Sequence, residues 1–347
     1  MPQKIRYGCI GAGGIADKKH LNEYSKLSNV EMVAICDTNL AAAEKLAQKY
    51  SIPEIYQDYK EMFEKANLDL ISVCTPNNLH MPITVAALEK GIHVHCEKPV
   101  GLNANEAQAI LDARSEYGKK VMIALNNRYT AESCFVKRYA DSGFFGEIYH
   151  AKCGWRRRNG IPGKGMWFTN KKFSGGGPLI DLGVHFIDLV LFFMGYPSPA
   201  TVNGSVYSKF SDSSFRIRPG YKIVGDGIFD VEDMAVGFIR LENGASIDFD
   251  FSWASNIEKE TKFYEILGTK GGVSFINGEL KIFSEILDTC INIVPELNTK
   301  PVNEFEHFID CIENDREPNS SPEQAVKLMK IIDAIYLSAE TRREIRF

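Results

Sequence analysis

The sequence lacks the signals that mark nucleic-acid-binding, disulfide-rich and membrane-spanning proteins. Its 40 basic and 45 acidic residues give a net charge of −5, so there is no basic excess to bind a polyanion. None of its eight cysteines forms a Cys-x-x-Cys motif, which argues against a zinc or dithiol site. No apolar run reaches the length of a membrane span, and the first predicted strand begins at Ile5 without a preceding signal peptide. We therefore expect a cytoplasmic protein that binds neither nucleic acid, membrane nor metal.

The 347 residues suffice for two domains. In the first third, short segments rich in Val, Ile and Leu alternate with amphipathic segments. Strands with so little polar alternation are typical of a parallel sheet buried on both faces. The predicted strands are Ile5–Ile10, Glu31–Asp37, Leu68–Cys74, Ile92–Cys96 and Val121–Leu125, and the predicted helices are Asn39–Tyr50, Leu79–Lys90 and Asn103–Tyr117. This alternation predicts an α/β domain with a doubly wound parallel sheet over residues 1–127.

The pattern changes after residue 127, where longer segments of alternating polarity predominate. Two Asn-Gly pairs, at 243–244 and 277–278, predict hairpin turns between neighbouring strands. The predicted strands are Gly146–Arg157, Met234–Leu241, Ala245–Trp253, Thr261–Leu267, Gly272–Ile276 and Glu279–Phe283, and the predicted helices are Ala131–Asp141, Pro178–Met194 and Pro322–Thr341. We predict an α+β domain over 128–347 with a large, mostly antiparallel open sheet, its C-terminal helix packing back on the first domain.

A glycine-rich turn follows the first predicted strand and opens a helix. Residues 11–16 fit the G-x-G-x-x-A fingerprint of a Rossmann dinucleotide site, in which Gly11 permits the tight turn and Gly13 lets a pyrophosphate approach the backbone. The helix N-terminus offers free N–H groups to the phosphates. The predicted cofactor contacts in this turn are Gly11, Gly13, Gly14, Ile15 and Ala16. A purely structural turn is the competing interpretation.

Asp37 ends the second predicted strand, where a carboxylate can accept hydrogen bonds from the adenosine ribose hydroxyls. Thr38 and Asn39 follow it, so no nearby cation would meet a 2′-phosphate. These features predict NAD rather than NADP, although an aspartate here also suits a helix cap.

A second cofactor segment follows the strand Leu68–Cys74. Ligands of open parallel sheets bind beyond the carboxyl ends of the strands, and four residues there are predicted to line the cofactor: Thr75, Pro76, Asn77 and His80. For His80, a structural role at the start of the helix is the alternative.

Two further motifs carry groups suited to acid–base chemistry. Glu97-Lys98-Pro99 follows the fourth strand, and Asp181 and His185 are four residues apart on one predicted helix, so they share a face. Oxidation of a secondary alcohol requires a base to remove the hydroxyl proton. An Asp/His pair on a helix is commonly structural, but the triple glycine before it and the upstream lysine favour catalysis.

These motifs resemble the signatures of the Gfo/Idh/MocA oxidoreductase family: the glycine turn, Glu97-Lys98-Pro99, and the segment GGGPLIDLGVH at 175–185. Within that family, residues 155–171 are most similar to bacterial NAD-dependent glucoside 3-dehydrogenases. The resemblance implies that Glu97 meets the nicotinamide ribose and that the Lys98-Pro99 bond is cis. It implies a catalytic set of Lys98, Asp181 and His185, and leaves open whether His185 or Lys98 is the base.

Other residues are predicted near the nicotinamide end and the substrate. Asn126 is predicted to contact the cofactor, Arg128 the substrate, and Trp167 either of them. A structural role is the alternative for Trp167. One of Arg156, Arg157 and Arg158 can face the pocket, and we expect Arg157. His93 and His95 form an H-x-H pair that could bind metal, but packing is the better interpretation because no third ligand is present.

The predicted function is NAD-dependent oxidation of a secondary hydroxyl of a sugar, glycoside or cyclitol, with position 3 of a glucoside as its most specific form. An inositol 2-dehydrogenase-like activity and NAD-dependent glycoside hydrolysis, as in some relatives, are the alternatives. A cofactor-binding regulator would not need Lys98, Asp181 and His185. By analogy with the family, we expect a homodimer or homotetramer formed through the C-terminal sheet.

Overall fold

The computed structural model describes residues 4–297 and 301–347. The chain forms two compact units, the first containing Met1–Ala124 with Asn303–Val326 and the second Leu125–Val302 with Lys327–Phe347. The sequence prediction assigned Asn303–Val326 to the second domain, whereas the structure places this segment in the first unit. The reason is aromatic packing: the Phe305 ring lies 5.0 Å from the Tyr24 ring, centroid to centroid.

The first unit contains a six-stranded parallel sheet with the order β3-β2-β1-β4-β5-β6. This is the Rossmann strand order, so the predicted fold is confirmed. The strands are β1 (Ile5–Ile10), β2 (Val30–Cys36), β3 (Glu54–Tyr56), β4 (Leu70–Val73), β5 (His93–Cys96) and β6 (Val121–Ile123). β3 was not predicted because its three residues, Glu54-Ile55-Tyr56, include one aliphatic residue and so lack the apolar run that marks the equally short β6.

Five α-helices connect these strands. A π-helical turn, Ala16–Leu21, continues into α1 (Asn22–Tyr24), and the others are α2 (Leu40–Tyr50), α3 (Tyr59–Lys65), α4 (His80–Glu89) and α5 (Ala104–Tyr117). Asn103 caps α5 by accepting a hydrogen bond from the Glu106 N–H at 3.0 Å. The Glu106 carboxylate accepts from the Leu102 N–H at 2.7 Å, and so extends the cap one residue upstream.

The second unit contains a nine-stranded sheet with the order β14-β13-β12-β11-β7-β10-β9-β8-β15. Strands β7 and β10 run parallel and the other described neighbours run antiparallel, as predicted. The strands are β7 (Ile148–Arg156), β8 (Pro199–Tyr207), β9 (Met234–Leu241), β10 (Ser246–Ser252), β11 (Thr261–Gly268), β12 (Gly271–Ile276), β13 (Glu279–Ile286), β14 (Thr289–Ile293) and β15 (Ile345–Arg346).

Three of these strands, β8, β14 and β15, were not predicted. β8 begins with Pro199 and contains Gly204, two residue types that are depleted in strands. Gly204 is needed there because a Cβ would lie 2.8 Å from the Ile335 side chain.

The hairpin at Asn277-Gly278 has φ values of 51° and 100°, the doubly positive pattern of a tight hairpin turn.

The remaining helices are α6 (Ala131–Asp141), α7 (Lys171–Ser174), α8 (Val184–Phe193), α9 (Glu304–Glu313) and α10 (Pro322–Thr341). The bounds of α6 and α10 match the prediction. The predicted helix Pro178–Met194 is more complex, because it opens with a π-helical turn, Leu179–Gly183, before α8.

The stretch Lys171–Phe193, which comprises α7, the π-helical turn and α8, is long and apolar enough to cross a membrane by length and composition. The prediction that no run reaches this length is therefore wrong for this segment. Its most apolar window is 83% buried inside the protein, as is usual for the core helix of a globular domain.

Candidate active site

The glycine turn of the first unit combines one crowded glycine with two open ones. Gly11 has a φ of 98°, and a Cβ there would lie 2.4 Å from the carbonyl oxygen of Cys74. Added Cβ atoms on Gly13 and Gly14 would meet nothing within 4 Å. Ala16 is buried and Ile15 is exposed. The turn is thus packed against the sheet on one side and open on the side where a pyrophosphate would bind.

Asp37 lies directly beside this turn. Its carboxylate accepts hydrogen bonds from the Ala12 N–H at 2.6 Å and the Asn39 N–H at 2.8 Å. These two bonds orient the carboxylate at the carboxyl end of β2, and its remaining lone pairs are available to ribose hydroxyls. Asp37 can therefore accept these backbone hydrogen bonds and still bind a ribose.

Polar atoms without partners line the carboxyl end of β4. Thr75 Oγ1 and Asn78 Oδ1 are buried, and neither has a hydrogen-bond partner among residues 4–297 and 301–347. Pro76 precedes the short 3₁₀ helix Asn77–Leu79. Buried polar atoms of this kind need a partner, and ribose hydroxyls would provide one. The residues at this edge therefore fit a dinucleotide, and Asn78 joins the predicted set.

His80 does not present a free ring nitrogen to a cofactor. Its Nδ1 lies 2.6 Å from the Pro99 carbonyl oxygen and its Nε2 lies 2.9 Å from the Thr75 carbonyl oxygen. The ring is buried, and burial lowers the pKa of His80. The prediction that it contacts the cofactor is replaced by a structural role, because the imidazole joins the loop after β4 to the Lys98-Pro99 segment. That peptide bond is cis.

Glu97 belongs to a partly buried hydrogen-bond chain that no local sequence motif reveals. His20 Nε2 lies 3.0 Å from Glu97 Oε1, and His20 Nδ1 lies 2.8 Å from the Ser72 hydroxyl. The second Glu97 oxygen accepts from the Lys98 N–H at 3.2 Å. Burial favours a higher pKa of Glu97, but the His20 hydrogen bond and charge outweigh it and lower the pKa to about 2. Glu97 is therefore ionised at neutral pH and tied to the backbone of Lys98.

A second buried pair lies beside this chain. His95 Nδ1 lies 2.9 Å from the Tyr24 hydroxyl and its Nε2 lies 3.3 Å from Glu304 Oε1. Burial raises the pKa of Glu304 to about 7. The other histidine of the H-x-H pair, His93, accepts a hydrogen bond from the Lys120 N–H at 2.9 Å. Both histidines have protein partners, in keeping with the packing interpretation.

In the second unit, Asp181 lies in the π-helical turn and His185 in the first turn of α8. Both side chains are partly exposed while residues 182–184 between them are buried, so the two share an accessible face. Asp181 Oδ2 accepts a hydrogen bond from Trp253 Nε1 at 2.9 Å. Trp253 is fully buried and was missed by sequence reasoning, because a tryptophan ending a strand has no distinctive local signal.

The three consecutive arginines diverge. Arg156 Nε lies 3.7 Å from an Asp250 oxygen, and Arg158 donates to the Glu258 carbonyl at 3.0 Å. Arg157 is buried, with its guanidinium carbon 4.2 Å from the Trp155 ring centroid. Burial lowers the pKa of Arg157, while the charges of Asp181 and Glu260 oppose this. Arg157 is thus the arginine whose charge is coupled to Asp181.

Arg128 has a structural role in place of the predicted contact with substrate. It is 2% exposed, and its Nε donates to Asp188 Oδ2 at 2.7 Å within a two-point ion pair. The Tyr196 hydroxyl donates to the same carboxylate at 2.8 Å. A buried guanidinium committed to such a pair is not available to a ligand.

Asn126 and Trp167 complete the predicted set. Asn126 Oδ1 is buried and has no hydrogen-bond partner in the described part of the chain. It lies in the 3₁₀ turn Asn126–Tyr129. The Trp167 ring stacks on the adjacent Phe168 ring at a centroid distance of 3.7 Å.

A parallel sheet in Rossmann order with an open glycine turn, joined in one chain to a large mixed sheet, defines a class of two-domain oxidoreductases. The family model described as "Oxidoreductase family, NAD-binding Rossmann fold" matches residues 5–125, and the GFO/IDH/MocA C-terminal domain matches residues 135–274. The chain belongs to the Gfo/Idh/MocA family of NAD-binding oxidoreductases.

Individual relatives extend this result. D-glucoside 3-dehydrogenase from Escherichia coli (strain K12) is 31% identical over 97% of this chain and 96% of its own length. Among solved structures, an oxidoreductase domain protein from Kribbella flavida has a TM-score of 0.88 at 21% identity, covering 99% of both chains. A levoglucosan dehydrogenase in complex with NADH and L-sorbose has a TM-score of 0.87 at 23% identity, again covering 99% of both. These two similarities to solved structures show a shared fold.

Proposed function

We propose that the protein oxidises a secondary hydroxyl of a sugar, glycoside or cyclitol with NAD, and that the 3-hydroxyl of a glucoside is the preferred position. The observation that carries the proposal is the 31% identity to D-glucoside 3-dehydrogenase, which extends over 97% of this chain. The similarity therefore includes both units.

The first unit supplies most of the cofactor contacts in this proposal. Gly11–Ala16 and Asp37 hold the pyrophosphate and adenosine ribose, while Thr75, Asn77 and Asn78 contact the ribose hydroxyls. When bound, NAD accepts a hydride at its nicotinamide ring. Glu97 remains ionised, since its pKa is about 2, and accepts hydrogen bonds from the nicotinamide ribose. Asn126 contacts the nicotinamide end.

The remaining groups act on the substrate. Lys98 donates a hydrogen bond to the reacting oxygen and stabilises its developing negative charge. His185 removes the hydroxyl proton, and the Asp181 carboxylate stabilises the imidazolium that results. Arg157 and Trp167 bind the rest of the sugar. The alternative assignment gives the base role to Lys98, in which case His185 orients the hydroxyl.

A panel assay tests the proposal. The protein is incubated with NAD and, separately, with methyl glucosides, free hexoses, levoglucosan and inositols, and both NADH absorbance and products are followed. We expect steady NADH formation and a 3-keto product with a glucoside. Preference for an inositol would instead assign the cyclitol activity, and glycoside cleavage without NADH would assign hydrolysis. Measured NAD binding with no product from any compound would contradict the enzyme assignment.

We also propose that the protein assembles as a homodimer or homotetramer through the nine-stranded sheet. Leu267, Ile276 and Phe283 are exposed on one face of its strands, and exposed apolar side chains on one face can form an interface. Light scattering after size exclusion tests this, with Phe283→Glu as the disrupting variant. A monomer at all concentrations would contradict it.

A further inference from the structure

The helical turn that carries Asp181 begins against a buried carboxylate from a distant part of the chain. Glu232 is 6% exposed. Its Oε2 accepts a hydrogen bond from the Gly177 N–H at 2.9 Å, and its Oε1 accepts from the Leu179 N–H at 3.1 Å. The first N–H groups of a helix have no partner within the helix, so Glu232 provides partners for them.

Tyr336, from α10, completes the arrangement. Its hydroxyl donates to Glu232 Oε1 at 2.9 Å. Pro178 has no N–H to satisfy. The N–H groups at the start of the π-helical turn are therefore held by Glu232, and Tyr336 holds the Glu232 carboxylate. The turn itself has no side-chain cap from its own N-cap residue.

The triple glycine provides the space for these two side chains. Gly175 ends α7 with a φ of 83°. A Cβ on Gly176 would lie 2.0 Å from the Tyr336 hydroxyl oxygen, and a Cβ on Gly177 would lie 1.9 Å from the Glu232 carbonyl oxygen. Real Cβ atoms do not approach this closely, so both positions require glycine. The glycines thus form a socket for Glu232 and Tyr336.

We propose that Glu232 and Tyr336 are positioning residues that fix the π-helical turn carrying Asp181, and with it the first turn of α8 carrying His185, in the orientation needed for proton removal. This inference rests on the proposed function, because it assigns the two residues to the same reaction. A carboxylate at a helix N-terminus also stabilises the helix dipole. Small displacements of a catalytic group lower kcat strongly, which gives a reason for holding the start of this helix at two N–H groups.

The first test uses turnover. Tyr336→Phe removes only the hydroxyl, and Glu232→Gln keeps the side-chain volume but places an amide where two N–H groups point. We expect each variant to lower kcat about tenfold or more, while NAD affinity stays unchanged because neither residue is among the proposed cofactor contacts. Ser338→Ala is the matched control. It removes another buried hydroxyl of α10, which accepts from the Gly204 N–H at 3.0 Å.

The second test needs no substrate and separates this inference from the proposed function. The chain has three tryptophans, and the indole N–H of Trp253 donates to Asp181. Its indole resonance, assigned with Trp253→Phe in ¹⁵N-labelled protein, reports the position of Asp181. We expect Tyr336→Phe and Glu232→Gln to move this resonance and Ser338→Ala to leave it in place. The inference is overturned if the two variants resemble the control in both the Trp253 resonance and kcat.

Discussion

In each unit a glutamate supports the proposed catalytic groups, but the electrostatic surroundings of the two glutamates are opposite. In the first unit, Glu97 faces His20, and the imidazole lowers the pKa of Glu97 to about 2. In the second unit, Glu232 faces peptide N–H groups and a tyrosine hydroxyl, and burial raises the pKa of Glu232. The comparison indicates that charge organises the surroundings of Lys98, whereas close packing organises the helix of Asp181. Each unit should therefore fail in a different way when altered.

The largest expected effect is on catalysis from the first unit. Lys98→Ala should lower kcat by about 10³-fold, because it removes the proposed hydrogen bond to the reacting oxygen. NAD binding, measured by the change in protein fluorescence, should be retained. Lys90→Ala, which removes an exposed lysine paired with Glu64, is the control. Near-normal turnover of Lys98→Ala would exclude the lysine from the mechanism.

The next largest effect is expected from two glycine substitutions, one at a crowded position and one at a position open to the cofactor. Gly177→Ala should destabilise the second unit by about 3 kcal/mol, since the new Cβ would overlap the Glu232 backbone. Gly14→Ala in the first unit meets no atom within 4 Å, so it should preserve stability but weaken NAD binding. Urea unfolding and NAD titration of both variants test this. The prediction would be refuted if Gly14→Ala lowered stability and Gly177→Ala weakened NAD binding instead.

A smaller effect is expected on the pH dependence of stability, through Glu304, a buried carboxylate of the first unit. Burial raises the pKa of Glu304 from 4.5 to about 7, so its contribution to stability is fully present below pH 4.5 and is lost as the pH rises through 7. Relative to Glu304→Gln, the wild-type protein should lose on the order of 2 kcal/mol between about pH 5 and 8. His95 is present in both proteins, so its own titration largely cancels. Parallel pH profiles in urea unfolding would show that Glu304 does not titrate in this range.

The smallest expected effect tests the His20–Glu97 hydrogen bond. His20→Ala should weaken NAD binding about tenfold, because a hydrogen bond to a charged group is lost and Glu97 is no longer held in place. His20→Gln retains an N–H near the Nε2 position and should restore part of the affinity. Equal affinities of the wild-type and His20→Ala proteins would mean that Glu97 needs no support from His20.

Helices with strong local signals were predicted well. α6 begins after Thr130, whose hydroxyl accepts from the Ser133 N–H at 3.2 Å, and α10 begins with Pro322. Both are recognisable helix starts. β8 was missed because its Pro and Gly oppose strand formation locally. Pairing with β9 along its length outweighs that preference.

The candidate site shows the same contrast between local sequence signals and long-range contacts. The sequence alone determined the glycine turn, Glu97-Lys98-Pro99 and the Asp181/His185 spacing, because each places its chemistry within a few consecutive residues. It also assigned Arg128 to the substrate, whereas folding paired this residue with Asp188.

Only the tertiary structure decided which side chains support these groups. His20 reaches Glu97 across 77 positions, Trp253 reaches Asp181 across 72, and Tyr336 reaches Glu232 across 104. A lone histidine, tryptophan or tyrosine has no periodic or motif signal in its own neighbourhood. Its role follows from the buried partner that packing brings to it, and a buried polar atom must find such a partner wherever in the chain it lies.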